Sequence, residues 1–258
     1  MKRLSLSSLA LALLMLCITE AHAQEGTVTY EETVKLEFKL PPEMEHMRID
    51  IPSARITQKL LFFNESASLM KDAPQDEEES GNVVMHGQGG HGDGGLHFRT
   101  LEDPPENETY VNFDEGQIIQ KEDFLGRTFL ITGETSTLAW RLTDERSEFL
   151  GYMAQKATAM RDSTTIEAWF TPEIPVPAGP GRYGGLPGLI LVLTLNDGQT
   201  TYVANELSLA PLDEALLVPP KKGKKVTREE FNTIVEEKRK EMEADGRGEG
   251  NVFIIRGN

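Results

Sequence analysis

A mainly β fold is what this sequence predicts: a single curved antiparallel sheet or half-barrel with one C-terminal helix. Three observations carry the expectation. Short runs that alternate apolar and polar residues recur along the chain, turn residues separate most of them, and little helical periodicity lies between them. Parallel strands need crossover helices, so many closely spaced strands point to antiparallel pairing.

The first 23 residues stand apart from this pattern. Met1-Lys2-Arg3 is followed by an apolar stretch from Leu9 to Ile18 and then by Ala21-His22-Ala23. That is the charged, apolar and small-residue order of a secretory leader, with cleavage expected after Ala23. The apolar run is too short to span a bilayer, which takes roughly 20 residues. The expected location is therefore the periplasm, the outer membrane or the exterior of a bacterial cell. Cys17 is the only cysteine and lies inside this leader. Its bulky neighbours Met15 and Leu16 do not suit lipoprotein processing, and the exported chain has no thiol for disulfides, metal thiolates or a cysteine nucleophile.

From Gly26 to Leu40, Val28, Tyr30, Val34, Leu36, Phe38 and Leu40 share one parity, while Thr27, Thr29, Glu31, Thr33, Lys35 and Lys39 hold the other. This is the period of a half-buried strand. Shorter runs follow at Ala54–Phe63, Tyr110–Phe113, Gln117–Gln120, Thr128–Thr132, Thr137–Leu142, Phe149–Thr158, Thr164–Phe170, Leu189–Leu195 and Thr201–Leu209. Leu189–Leu195 is apolar on both parities and predicts an internal strand covered on both faces. Asn196-Asp197-Gly198 then supplies a hairpin turn into Thr201–Leu209.

The one convincing helix spans about 227–245. Thr227-Arg228-Glu229-Glu230 forms a capping-box pattern, Phe231, Ile234, Val235 and Met242 recur at helical spacing, and Gly246 stops the run. Its thin apolar stripe predicts packing on an edge or face of the sheet, with Glu236 and Lys240 as a surface pair. The stretch 71–108 is different. Asp76-Glu77-Glu78-Glu79 leads into a glycine-rich tract around His91 and then Pro104-Pro105, a composition that cannot offset its ordering entropy by burial and predicts a loop. The remainder, 24–258, is expected to form one domain, large enough to bury roughly 70–75% of its unfolded surface.

The formal net charge is −16, a field that repels nucleic acid and anionic lipid. The one basic spot is Lys221-Lys222-Gly223-Lys224-Lys225, most simply a solvated loop before the helix. Patterns for nucleophilic or zinc-helix catalysis and for phosphate cradling are missing from the sequence. Carboxylates are plentiful, but nothing singles out an acid–base pair. The sequence therefore gives no reason to expect an enzyme or a resident cofactor. His86, His91 and His97 lie in the glycine-rich stretch with Met85 and Asp93 nearby, and His46 sits in Met44-Glu45-His46-Met47. Imidazole and thioether donors suit copper or zinc, so a divalent metal held by His86, His91, His97 and Met85 is one candidate site, although the spacings match no standard motif.

The most distinctive stretch runs from Ala168 to Leu193. Prolines at 172, 175, 177, 180 and 187 remove amide donors and hold the backbone extended, so this segment predicts a rigid crossing that leaves a strand after Phe170 and enters another at Leu189. Gly185 and Gly188 bracket Pro187, the mark of a tight turn with close backbone approach. Gly185-Leu186-Pro187-Gly188-Leu189-Ile190 matches the hexapeptide of the GLPGLI family, the Porph_ging domain. Gly151-Tyr152 with Gln155-Lys156-Ala157, Ala168-Trp169-Phe170 with Ile174-Pro175, and Gly179-Pro180 with Tyr183 resemble the same family's surrounding pattern. The resemblance covers Phe124–Leu209 and, more loosely, Gly26–Met70. Ala154 stands where relatives often carry a cysteine, and the histidine–glycine stretch is private to this chain.

The resemblance implies an exported protein of a kind found mainly in Bacteroidetes and relatives, without an established activity. By analogy of fold, curved sheets of periplasmic lipoprotein carriers enclose an apolar cavity. The leading expectation is thus a non-enzymatic binding or carrier module for an apolar ligand or peptide, bordered by Tyr183, Leu186, Pro187 and Leu189. Metal handling through the histidine stretch and partnership in an outer-membrane assembly are the alternatives.

Overall fold

Alternation becomes architecture in β1 (Gly26–Lys35), where Gly26, Val28, Tyr30, Glu32 and Val34 are buried and the intervening residues are half-covered. The computed structural model describes residues 25–36, 53–74, 84–86, 97–99, 107–135, 137–161 and 163–244. The expected leader and the Met44–Met47 cluster lie outside these residues. The further strands are β2 (Ala54–Phe63), β3 (Ala67–Asp72), β4 (Val84–His86), β5 (His97–Arg99), β6 (Glu108–Asn112), β7 (Gln117–Phe124), β8 (Arg127–Glu134), β9 (Arg141–Phe149), β10 (Tyr152–Arg161), β11 (Thr164–Thr171), β12 (Leu189–Leu195), β13 (Thr200–Leu209) and β14 (Lys224–Val226). Helix α1 spans Arg228–Ala244.

Twelve of the strands form one open sheet in the order β14-β8-β7-β6-β3-β2-β1-β13-β12-β11-β10-β9, and β4 pairs with β5 separately. Every pairing in the large sheet is antiparallel except that of β14 with β8. The mainly β class, the antiparallel sheet and the terminal helix follow the expectation. The parallel pair departs from it. After β13 the chain crosses the outer face of the sheet through a 3-10 turn (Glu214–Leu217), whose Leu217 packs with Ala67, Leu69, Tyr110 and Ile119. A connection of that length can deliver a strand in either direction.

The other face carries the core. Val28, Tyr30, Leu61, Phe63 and Met70 pack with Leu189 and Leu191 and with Ile174, Val176 and Ala178 of the proline-rich crossing. A second cluster gathers Ala157, Ile166, Ala168, Phe170, Ile190, Leu193 and Leu195. The pairing of β11 with β12 shifts register between Trp169 and Phe170, which skips Leu191. Such a bulge changes which residues face which way, so β12 feeds both clusters. Its apolar character on both parities has this cause.

The sheet is curled. Across a flat sheet β3 and β10 would stand about 29 Å apart, six spacings of about 4.8 Å. Yet Gly181 donates its amide to Met70 Sδ on β3 at 2.7 Å, and Tyr183 lies under the guanidinium of Arg161 on β10, 5.5 Å from its ring centroid. Two residues of the crossing thus touch strands at both sides of the core.

Several boundaries differ from the sequence pattern. Phe149–Thr158 is not one strand: the chain turns between β9 and β10 at Leu150 and Gly151, which have φ of 53° and 82°. A leucine in that conformation carries no turn signature, unlike Asn196-Asp197-Gly198, which forms the expected turn with three successive positive φ values. Residues 137–140 are irregular, and β9 begins only at Arg141. Lys71 and Asp72 belong to β3 and Glu108 to β6, so the expected loop is shorter than composition suggested and contains β4 and β5.

Helix α1 fits its expected signals. Thr227 Oγ1 accepts from the Glu230 amide at 3.2 Å while Glu230 Oε2 accepts from the Thr227 amide at 2.8 Å, the reciprocal bonds of a capping box. Phe231 is buried against Phe129 and Val226, its ring edge-on to Phe129 at 5.2 Å and to Phe124 at 6.2 Å. Arg228 reaches Gln120 and Glu122 on β7. Glu236 pairs with Arg239 at 2.9 Å rather than with the expected Lys240.

Candidate functional site

The crossing between β11 and β12 follows from its prolines. Interrupted by prolines that have no amide to donate, it makes isolated bonds: Val176 to Ile174 at 2.8 Å, Gly185 to Pro177 at 3.0 Å, Leu189 to Ile174 at 3.0 Å and Ile190 to Ala178 at 3.0 Å. Gly188 sits so close to β11 that a Cβ there would run into the Thr171 carbonyl oxygen, and Gly185 has a φ of 81°. These two glycines let the hexapeptide fold back on the strand that precedes it. Trp140 Nε1 donates to the Gly184 carbonyl at 3.0 Å and pins the corner to the segment before β9.

The structure places the four expected ligand-binding residues in three environments. Leu186 and Leu189, 2% and 0% exposed, are packed inside the core. Tyr183 is half-buried beside Arg161, and Pro187 is exposed. They share a corner, but they do not converge on one surface. Two open depressions lie elsewhere, one of about 380 Å³ lined by Arg127, Thr128, Phe129, Lys224 and Ile234, the other of about 470 Å³ around Glu115–Gln117 and Thr132–Glu134.

A polar row on the core face escaped the sequence reading. Glu32 pairs across the ladders with Thr57 on β2 and Tyr202 on β13, and direct partners share a face. Tyr202 Oη donates to Glu32 Oε1 at 2.6 Å and Thr57 Oγ1 donates to Oε2 at 2.8 Å. Lys59 lies 3.3 Å from the same carboxylate and also pairs with Asp72. Burial alone would push the Glu32 carboxyl up, but Lys59, the two hydroxyl donors and Arg55 together hold it below the usual carboxylate range. Burial, then the Glu32 charge, drives the Tyr202 phenol upward. Burial likewise raises Tyr30, whose hydroxyl donates to the Ile190 carbonyl at 2.5 Å. The available signal was a glutamate on the apolar parity of β1.

The outermost hairpin has a different character. Among the described residues β9 ends the sheet, and most of its side chains are exposed. Four of the nine large hydrophobic residues exposed among the described residues, Leu142, Leu150, Met153 and Met160, lie on β9, β10 and their turn. A bare edge strand presents unpaired backbone donors and acceptors.

For the expected metal ligands, the structure gives a backbone register for Met85, His86 and His97, whereas His91 and His46 lie outside the described residues. Among the described residues no group of three or more His, Cys, Asp or Glu side chains is placed to hold a metal ion. Nor is any helix among them long and apolar enough to cross a membrane.

The family model described as a protein of unknown function, Porph_ging, matches residues 158–192. The Porph_ging match therefore takes in the end of β10, β11, the whole crossing with its hexapeptide, and the start of β12. It agrees with the resemblance carried by Gly185–Ile190. No curated protein matches the sequence. In fold the chain is similar to PNGF-II, solved in C2 and P21 crystal forms. Both have a TM-score of 0.51 and 17% identity, over 83% and 82% of this chain. The chain spans 33% of the length of each of those proteins, and the likeness is one of fold.

Proposed function

We propose that the protein is an exported binding module, rather than an enzyme, that takes up an extended apolar peptide segment along β9. The supporting observation is the β9 edge, unpaired by any strand among the described residues, with Leu142, Leu150, Met153 and Met160 exposed around it. Strand addition joins backbone hydrogen bonds to side-chain contacts on both faces of the sheet. The burial of Leu186 and Leu189 favours this over a carrier that encloses an acyl chain beneath the hexapeptide corner.

The lack of cysteine outside the expected leader makes the reading testable. A fluorophore on Asp144→Cys of the exported chain, titrated with a synthetic peptide of alternating valine and threonine, is expected to report saturable binding. Leu142→Lys with Met153→Lys abolishes it, while Val218→Lys, equally exposed but remote, does not. No saturable binding, or equal binding by the Leu142/Met153 variant, overturns the reading.

A further inference from the structure

The basic run Lys221-Lys222-Gly223-Lys224-Lys225 is more than the solvated loop its composition suggests. Lys224 and Lys225 begin β14 and are held beside β8 by the parallel ladder, with Lys224 opposite Phe129 and Val226 opposite Ile131. Gly223 permits that approach: its φ is 139°, and a Cβ there would come within 3.0 to 3.1 Å of backbone atoms of Thr128, Phe129 and Leu130. Residues along a strand alternate faces, so Lys224 shares with Phe129 and Val226 the face that α1 covers, and Arg127, two residues before Phe129, is on it as well. With strands about 4.8 Å apart and about 3.3 Å per residue, the Cα atoms of Arg127 and Lys224 are about 8 Å apart. Both residues border the open depression of about 380 Å³, which Phe129 and the half-buried Ile234 line with apolar surface. Among the described residues neither cation has an ion-pair partner. Glu122, opposite Phe129 on the same face, is engaged by Arg228 at 2.9 Å, and Glu230 closes the capping box. Glu237 and Lys238, one turn beyond Ile234, are exposed and of opposite sign.

We propose that this depression binds a small organic anion, a carboxylate or phosphate carried on a compact apolar body, with Arg127 and Lys224 at the charged end and Ile234 and Phe129 against the body. A guanidinium presents a fork of donors that matches either oxyanion, and an ammonium adds a point charge beside it. The volume falls within the range of about 300–1,000 Å³ usual for small-molecule sites. The net charge of −16 repels anions at long range, but screening over about 8 Å at physiological salt leaves the two local cations to set the field in the depression. The site lies at the other end of the strand order from β9 and does not depend on the peptide reading.

The test is calorimetric titration of the tag-free full chain with phenyl phosphate, phenylacetate, inorganic phosphate and benzyl alcohol, each variant first checked for wild-type urea unfolding. At least one of the two aromatic anions is expected to saturate a single site, and the tighter of them identifies the preferred head group. Inorganic phosphate and benzyl alcohol, which each offer one half of the ligand, should bind about fivefold more weakly or less. Arg127→Gln and Lys224→Gln are each expected to weaken binding about two- to fivefold, the range of exposed ion pairs, and together about tenfold or more. Lys221→Gln with Lys222→Gln removes the same charge from the residues just before β14 and binds as wild type. The proposal is overturned if neither aromatic anion binds saturably, if Arg127→Gln with Lys224→Gln binds as wild type, or if the Lys221/Lys222 variant loses as much. Inorganic phosphate binding as tightly as phenyl phosphate overturns it too.

Discussion

The two edges of the sheet are finished in different ways. At one, β14 adds three residues alongside β8, and α1 buries Phe231 against Phe129 and Val226. At the other, β9 runs for nine residues with most side chains in water. The first edge gains stability from burial. The second is guarded by Arg141, Asp144, Glu145, Arg146 and Glu148, charges of both signs that discourage indiscriminate strand pairing and leave room for a matching partner. One sheet thus has a structural end and an available end.

Substitutions should separate the two. Phe231→Ala is expected to have the largest effect, about 3–5 kcal/mol of stability in urea unfolding, because it leaves a cavity between helix and sheet. A loss below about 1 kcal/mol would mean that the helix does not hold that edge. Between the edges, Glu32→Gln tests the polar row through pH. The folded carboxyl titrates below its unfolded value, so its stabilisation is present above the ordinary glutamate pKa of about 4.3 and is lost as pH falls through the folded value. Wild type should therefore lose more stability than Glu32→Gln on acidification below pH about 4.3, and parallel acid limbs would remove the row from the account of stability. Thr227→Ala, which deletes one half of the capping box, should lower stability by about 1 kcal/mol and fray the start of α1 in hydrogen exchange. Smallest of all, Leu142→Lys with Met153→Lys at the β9 edge should stay within about 0.5 kcal/mol per substitution in thermal or urea unfolding. A large destabilisation there would show that this hairpin belongs to the core and would erase the contrast between the edges.

Local chemistry made much of this fold legible. Alternation in Gly26–Lys35, the Asn196-Asp197-Gly198 turn, the capping box at Thr227 and the proline-stiffened crossing each act within a few residues, so each is visible in the chain itself. The candidate sites were less so. The hexapeptide corner was found, yet its leucines face the core, because burial depends on what folds over them. The polar row was missed, because Glu32 acquires its partners from β2 and β13, 25 and 170 residues away.

By itself the sequence determined a thiol-free β chain beyond its expected leader, the place of its helix, and a rigid corner between two strands. Only the tertiary structure decided the strand order, the parallel β14, the curl around residues 174–183 and the β9 edge. The physical reason is the range of the forces involved. Propensity, capping and proline geometry act between neighbours, whereas strand pairing and burial join residues that are distant in the chain, and a shift of one residue in register changes which faces meet.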